Sequence, residues 1–211
     1  MTLPHDVSPA ATPTGNTYDK YGVEHPIERR LVEGFLRALD SVLPPVPPRR
    51  VLEVGAGEGE ISARVRQRYP DATVIGIDLF DADLGEQWRQ RGAVGAFADV
   101  AHLPFPDDAF DLVLGIEVLE HVATPSRALS EIRRVGRESF VLSVPREPVW
   151  RIANVLRGRY VRDLGNTPGH VNHWSTRRFR TLVDTYLDLR ATRTPFPWTL
   201  VAARRRPPPL S

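Results

Sequence analysis

The chain has 211 residues, 41% hydrophobic and 26% charged, which suits one folded domain with a sizeable core, and no apolar run approaches the ~20 residues that cross a bilayer. It has no cysteine, which removes disulfides, thiolate metal sites, CxxC redox chemistry and a Cys nucleophile. The net charge of +2 comes from 28 basic and 26 acidic side chains without the clustered basic and aromatic residues of a nucleic-acid surface, so no nucleic-acid partner is expected.

The first residues, MTLPHDVSPA, have no basic stretch followed by an apolar one, so a cleaved secretory signal is not expected and a cytoplasmic setting is. Residues 1–17, rich in Pro, Thr, Ser and Ala, are expected to be a mobile tail. Ile27, Leu31, Phe35, Leu36, Leu39 and Val42 recur at helical spacing over 25–43, and Pro44, Pro45, Pro47 and Pro48 stop that helix. Residues 18–49 thus read as an N-terminal helix or lid with a Pro-rich linker. From Arg50 the pattern alternates: strand RVLEVG, helix EGEISARVRQRYP, strand ATVIGID, helix DADLGEQWRQRG, strand AVGAFAD, strand FDLVLGIEVLEH, helix SRALSEIRRVG with Ser126 as N-cap, and strand ESFVLSVP. Short apolar strands between helices predict a parallel sheet covered on both faces. STRRFRTLVDTYL then reads as a helix with Ser175 as N-cap, and LDLRATRT and WTLVAARRR as an edge hairpin. The domain is expected over 50–203, with 204–211 as a second mobile tail.

The strongest chemical signal is Val51-Leu52-Glu53-Val54-Gly55-Ala56-Gly57-Glu58-Gly59, a strand that ends in glycines where a helix begins. Glycines permit a tight turn and let backbone approach a ligand closely. The spacing is G-x-G-x-G, and Glu60 stands at the third position of the dinucleotide fingerprint, which argues against NAD. Asp78 lies at the tip of the second strand, where a carboxylate can accept from a ribose diol. Asp99 lies just past the third strand, where a carboxylate can accept from an adenine amino group. Either Asp alone reads equally as a cap or turn residue; three such elements at three successive strand ends point to a nucleoside-containing cofactor.

In these segments, VLEVGAGEG, VIGIDLF, FADVAHLPFPDDAFDLVLGIEVLEHV and FVLSVP, the chain resembles the class I S-adenosylmethionine-dependent methyltransferases, in the group that includes the type 11 and ubiquinone-biosynthesis-like small-molecule enzymes. The resemblance covers roughly Arg50 to Pro145. It implies an α/β, Rossmann-like, doubly wound sheet of seven strands, mostly parallel with one antiparallel edge hairpin strand. It also implies S-adenosylmethionine as cofactor, S-adenosylhomocysteine as product and a small-molecule acceptor, with oxygen the first choice of methylated atom. Gly55, Ala56, Gly57 and Gly59 would then form the loop beside the methionine portion, with Glu53 near it. Asp78 would hold the ribose, Leu79 would pack by the adenine, Asp99 and the backbone of Val100 would read its edge, and Glu117 would line cofactor and substrate. Tyr18 and Tyr21 would belong to a lid, Tyr21 on the cofactor and Tyr18 on the substrate.

On the acceptor side, His121 in EVLEH reads as a general base or as a histidine that bonds backbone near the site. Residues 146–174 form an acceptor-side insertion, too long for a simple strand-to-helix connection. In it, Gly169-His170-Val171-Asn172-His173-Trp174 places two histidines and a Trp where they line a pocket or brace a rigid loop. His121, His170 and His173 are the catalytic candidates, and Tyr18, Trp150, His170, His173 and Trp174 the substrate-binding ones. A metal set of Glu117, His121, His170 and His173 is weighed, but no metal is expected, because Cys and a recognised ligand motif are both lacking. The apolar, Arg-bearing stretch PVWRIANVLRGRYVRDL reads as a pocket cap before a membrane contact, and no stable membrane insertion is expected. The rival functions are an NAD-dependent oxidoreductase and a non-catalytic S-adenosylmethionine-binding protein of the same fold; the residues leave oligomeric state open.

Overall fold

The strands between Arg50 and Pro145 lie side by side in a computed structural model that describes residues 26–156, 163–164, 166–167 and 169–206. The elements are α1 (Pro26–Asp40), β1 (Arg50–Val54), α2 (Glu60–Arg68), β2 (Thr73–Asp78), α3 (Ala82–Gln90), β3 (Val94–Phe97) and β4 (Phe110–Ile116). They continue with α4 (Pro125–Val135), β5 (Gly136–Pro145), α5 (Val149–Leu156), α6 (Thr176–Tyr186), β6 (Asp188–Arg193) and β7 (Trp198–Arg204). The sheet order is β3-β2-β1-β4-β5-β7-β6. Strands β1 to β5 pair in parallel, and β7 is antiparallel to both β5 and β6, as the sequence leads one to expect.

Burial on both faces explains the apolar runs. In β1, Val51 packs with Phe35, Leu39, Ile61 and Val65 on one face, and Leu52 and Val54 pack with Leu129, Ile132 and Phe179 on the other. In β4, Leu112 and Leu114 join the first cluster and Val113 the second, so the period-2 alternation of a strand feeds two cores. Helix α4 covers its face with Ala128, Leu129, Ile132 and Val135, all fully buried at helical spacing.

Two local expectations are corrected. Helix α4 starts after Thr124 with Pro125 in its first turn, so Ser126 is inside the helix and is not its cap; proline's fixed φ and missing N–H suit that first position. Arg204 and Arg205, expected to open the second tail, are held to the sheet. Arg204 closes β7, Arg205 N–H donates to the Glu138 carbonyl at 3.0 Å, and the Arg205 guanidinium donates to the carbonyls of Gly136 (2.8 Å) and Arg133 (3.1 Å). The expected tail over 1–17 and both lid tyrosines, Tyr18 and Tyr21, lie outside the described residues. Among the described residues no helix is long and apolar enough to cross a membrane.

The strand order reverses between β1 and β4, and a crevice opens there outside the carboxyl ends of the parallel strands. The strands that end there rest on a close-packed core. Phe140 is fully buried in mid-β5, and its ring fills the space a Cβ on Gly136 would need. Phe140→Ala should therefore lower stability by about 3–5 kcal/mol. Urea unfolding should show a lower midpoint at unchanged slope; a midpoint within error of the parent would mean that the ring is not part of the core.

Candidate functional site

The glycine loop adopts a backbone that only its sequence permits cheaply. Gly55, Gly57 and Gly59 have φ of 67°, 48° and 84°, in the left-handed region. A Cβ on Gly55 would also overlap Val118 in the turn after β4. The loop is pinned from three sides: Ala56 N–H donates to the Ile77 carbonyl (2.9 Å), Gly59 N–H to the Ala56 carbonyl (2.8 Å), and the Trp88 indole to the Gly57 carbonyl (2.8 Å).

Asp78, the last residue of β2, accepts from Gly57 N–H and from Leu79 N–H, each at 2.7 Å. Its burial pushes the carboxyl above the ordinary carboxylate range, and the two amide bonds work the other way. Two bonds leave lone-pair capacity on the oxygens for a diol. Leu79 is half-exposed beside it. Asp99 accepts from Ala101 N–H at 2.8 Å and lies 3.6 Å from a His102 ring nitrogen, with Val100 buried next to it. Glu60, where a dinucleotide fingerprint has its third glycine, opens α2 and pairs with Arg91 at 2.6 Å.

Glu53 is buried in β1 and accepts from the Ser62 hydroxyl of α2. Burial pushes its carboxyl up to about 8, against the opposing bond from Ser62. Glu117 ends β4 with φ 55° and accepts from the indole N–H of Trp198 in β7. Trp198 in turn packs on Phe35 (5.2 Å between ring centroids) and Trp150 (5.8 Å).

The segment after β5 folds back on the turn after β4. Val171 N–H and Asn172 N–H donate to the Glu120 carbonyl (2.9 and 3.0 Å), and the Asn172 side-chain amide donates to the carbonyls of Leu119 (3.0 Å) and Val122 (2.7 Å). These bonds bring His170 against His121, ring centroids 4.8 Å apart at 79°, with Trp150 stacked at 6.2 Å on the other side of His170. The other two candidates of this segment, His173 and Trp174, have partners of their own. His173 is exposed and bonds Asn166 at 2.8 Å, while Trp174 packs on the core beside Phe179. Ser62, Trp88, Glu120 and Trp198 were invisible to sequence reasoning as site residues. Each reaches the site from an element whose placement depends on the assembled sheet; only Glu120, adjacent to His121, carries a local hint.

Residues 52–142 match the methyltransferase domain family. The chain is 35% identical over 125 residues to a malonyl-[acyl-carrier protein] O-methyltransferase of Geobacter sulfurreducens, covering 56% of this chain and 44% of that protein. It is 33% identical over 136 residues to a demethylmenaquinone methyltransferase of Thermus thermophilus, covering 61% of each. The chain spans about half the length of the curated relatives it matches. In fold it is similar to a putative methyltransferase in complex with the Trm112 methyltransferase activator of Haloferax volcanii (TM-score 0.69, 18% identity, 86% of this chain and 92% of that one). It is similar also to magnesium protoporphyrin IX methyltransferase of Synechocystis PCC 6803 with bound SAH (TM-score 0.64, 19% identity, 88% and 90%). The match over residues 52–142, which contains the glycine loop, and the shared fold make this chain similar to methyltransferase domains.

The Glu53 carboxyl makes a testable link between site and stability. Its ordinary value is 4.5 and its folded value about 8, so folding takes up a proton between them. This contribution to stability is full below about 4.5 and is lost as pH rises through about 8, with a slope of up to about 1.4 kcal/mol per pH unit. Urea unfolding of Glu53→Gln across that range should lose this decline relative to the parent chain. Parallel slopes for the two proteins would show that Glu53 is already ionised in the folded state.

Proposed function

We propose that this chain binds S-adenosylmethionine in the crevice beyond β1, β2 and β4 and transfers its methyl group to an oxygen of a small-molecule acceptor. The observation that carries the reading is the Asp78 carboxylate at the β2 tip, bonded at 2.7 Å to the amide of Gly57 in the adjoining glycine loop. Loop and ribose-binding carboxylate are thereby one rigid unit. Under this reading Glu53 and Gly55–Gly59 border the methionine portion, Leu79, Asp99 and Val100 the adenine, and Glu117 the reacting end. The O-methyltransferase names of several relatives support oxygen as the methylated atom. A cytoplasmic setting belongs to the same proposal, with the cysteine-free sequence as its support.

In the reaction, the acceptor oxygen forms a bond to the methyl carbon as the carbon–sulfur bond breaks. The electron pair goes to sulfur, leaving neutral S-adenosylhomocysteine. Positive charge on sulfur disperses along this path, so alignment of donor and acceptor is the main task of the protein. The second task is removal of the acceptor's proton. We assign it to the buried corner formed by Glu120, His121 and His170, with Trp150 as an apolar wall for a planar acceptor. His173, bonded to Asn166, and Trp174, packed on the core, are the further acceptor-side residues of the same segment under this reading.

Asp78→Ala should weaken S-adenosylhomocysteine binding about ten- to a hundred-fold, the equivalent of roughly 1.5–3 kcal/mol for a lost charge-assisted bond. Calorimetry on the folded variant reads this directly. An unchanged affinity would remove Asp78 from the cofactor site, and absence of S-adenosylhomocysteine binding by the parent chain would overturn the methyltransferase reading. Methyl transfer from labelled S-adenosylmethionine, scored on phenol, catechol and carboxylic-acid acceptors, distinguishes an enzyme from a binding protein of the same fold.

A further inference from the structure

We propose that Glu120, His121 and His170 bind one divalent transition-metal cation of the zinc type, and that this cation activates the acceptor oxygen for methyl transfer. The second half rests on the methyltransferase reading; cation binding does not.

The geometry is specific. One ligand atom from each of the three side chains lies within 4.8 Å of the other two. Around a tetrahedral ion with bonds of about 2.0–2.1 Å, ligand atoms sit about 3.3 Å apart, so modest side-chain rotation closes the set. The group differs from an exposed acidic patch. Glu120 is 1% and His170 8% exposed, and the backbone bonds from Val171 and Asn172 to Glu120 hold the two contributing segments together.

The surroundings also orient a ligand. The Nδ1 atom of His121 lies 3.0 Å from the Gly169 carbonyl oxygen. A carbonyl only accepts, so Nδ1 carries the proton and donates it there, which leaves Nε2 as the lone-pair nitrogen. Metal-ligating histidines are held in this way, with the other ring nitrogen donating to a carbonyl or carboxylate. Gly169 makes the approach possible: its φ is 85°, and an added Cβ would lie 3.3 Å from Nδ1 of His121.

The donor set selects the ion. Two imidazoles and one carboxylate suit zinc and its first-row neighbours, while magnesium and calcium favour all-oxygen shells. Three protein ligands leave a position open for water or substrate. The expectation from sequence was different: no metal, and a weighed set that included Glu117 and His173. In the fold, Glu117 bonds the Trp198 indole and His173 bonds Asn166, and Glu120 joins His121 and His170 in their stead.

The position fits the chemistry. The turn that carries Glu120 and His121 follows β4, and its Val118 touches the glycine loop at Gly55. The turn after β4 and the tip of β2 lie at the same, carboxyl end of the parallel sheet, so the cluster and the cofactor crevice share it. A hydroxyl bound at the open position loses its proton to solvent more readily, because the cation stabilises the oxyanion; the corner then promotes proton loss through its cation and its three side chains do not take the proton themselves. That oxygen then attacks the sulfonium methyl, the carbon–sulfur bond breaks, and its electron pair stays on sulfur.

The test uses the full chain, without an affinity tag and stripped with a chelator. Titration with Zn²⁺ alone, followed by calorimetry, should show one saturating site per chain, and Mg²⁺ should not compete for it. Co²⁺ in place of Zn²⁺ should give visible absorption of a site with nitrogen ligands. Glu120→Gln and His170→Asn should each weaken Zn²⁺ at least tenfold. S-adenosylhomocysteine affinity, measured on the same samples, reports that the variants are folded. No saturable Zn²⁺ site in the parent chain overturns the proposal, as does an unchanged Zn²⁺ affinity in variants that still bind S-adenosylhomocysteine. Zn²⁺ binding in a chain that fails to bind S-adenosylhomocysteine would support the cation site and overturn the methyltransferase reading instead.

Discussion

The bond between the Gly57 amide and the Asp78 carboxylate couples the two parts of the crevice that matter most. The loop after β1 adopts a left-handed backbone at three glycines, and beyond the bond from Gly59 N–H to the Ala56 carbonyl it has little internal reason to hold one shape. Asp78 gives it that reason by accepting from Gly57 and Leu79 together. Trp88 adds a third restraint by donating to the Gly57 carbonyl from α3. The carboxylate is drawn into a partly buried position by this arrangement, and burial is what raises its proton affinity.

A second system of restraints joins the turn after β4 to the segment after β5. The turn after β4 exposes carbonyls at Leu119, Glu120 and Val122, and residues 171–172 satisfy all three. Unsatisfied buried carbonyls are costly, so the insertion after β5 is fastened where the turn needs donors. His170 arrives beside His121 as a consequence, and Trp150 and Trp198 fill the space behind them. The aromatic path from Phe35 through Trp198 and Trp150 to His170 ties α1 and the antiparallel strand β7 to this corner.

Fold alone does not set the chemistry of such a molecule. A protein described as a [4+2]-cyclase has a similar fold, with a TM-score of 0.60 at 17% identity. Function follows from groups placed on the fold, and here those groups sit at strand ends. The glycine loop and Asp78 lie at the carboxyl ends of β1 and β2, the end of a parallel sheet at which such folds present groups to ligands. The corner of Glu120, His121 and His170 takes its third member from the connection between β5 and α6.

Legibility in the sequence follows the range of the interaction. The strand-and-helix alternation, the glycine loop, Asp78 and Asp99 were readable because periodicity and turn chemistry are local: each depends on residues within a few positions. The hairpin of β6 and β7 was readable for the same reason, and only its end was misjudged, since Arg204 and Arg205 are held by β5 across the sheet. The cap of α4 was misplaced by two residues because Pro125 and Ser126 both signal a helix start, and proline's fixed φ prevails. What the tertiary structure alone decided are the long-range meetings: Glu53 with Ser62, Glu117 with Trp198, and Glu120 and His121 with His170, which lies about fifty residues further along. No local pattern encodes these pairs, because their distances are set by how strands order in the sheet and where an irregular segment finds donors and acceptors to satisfy.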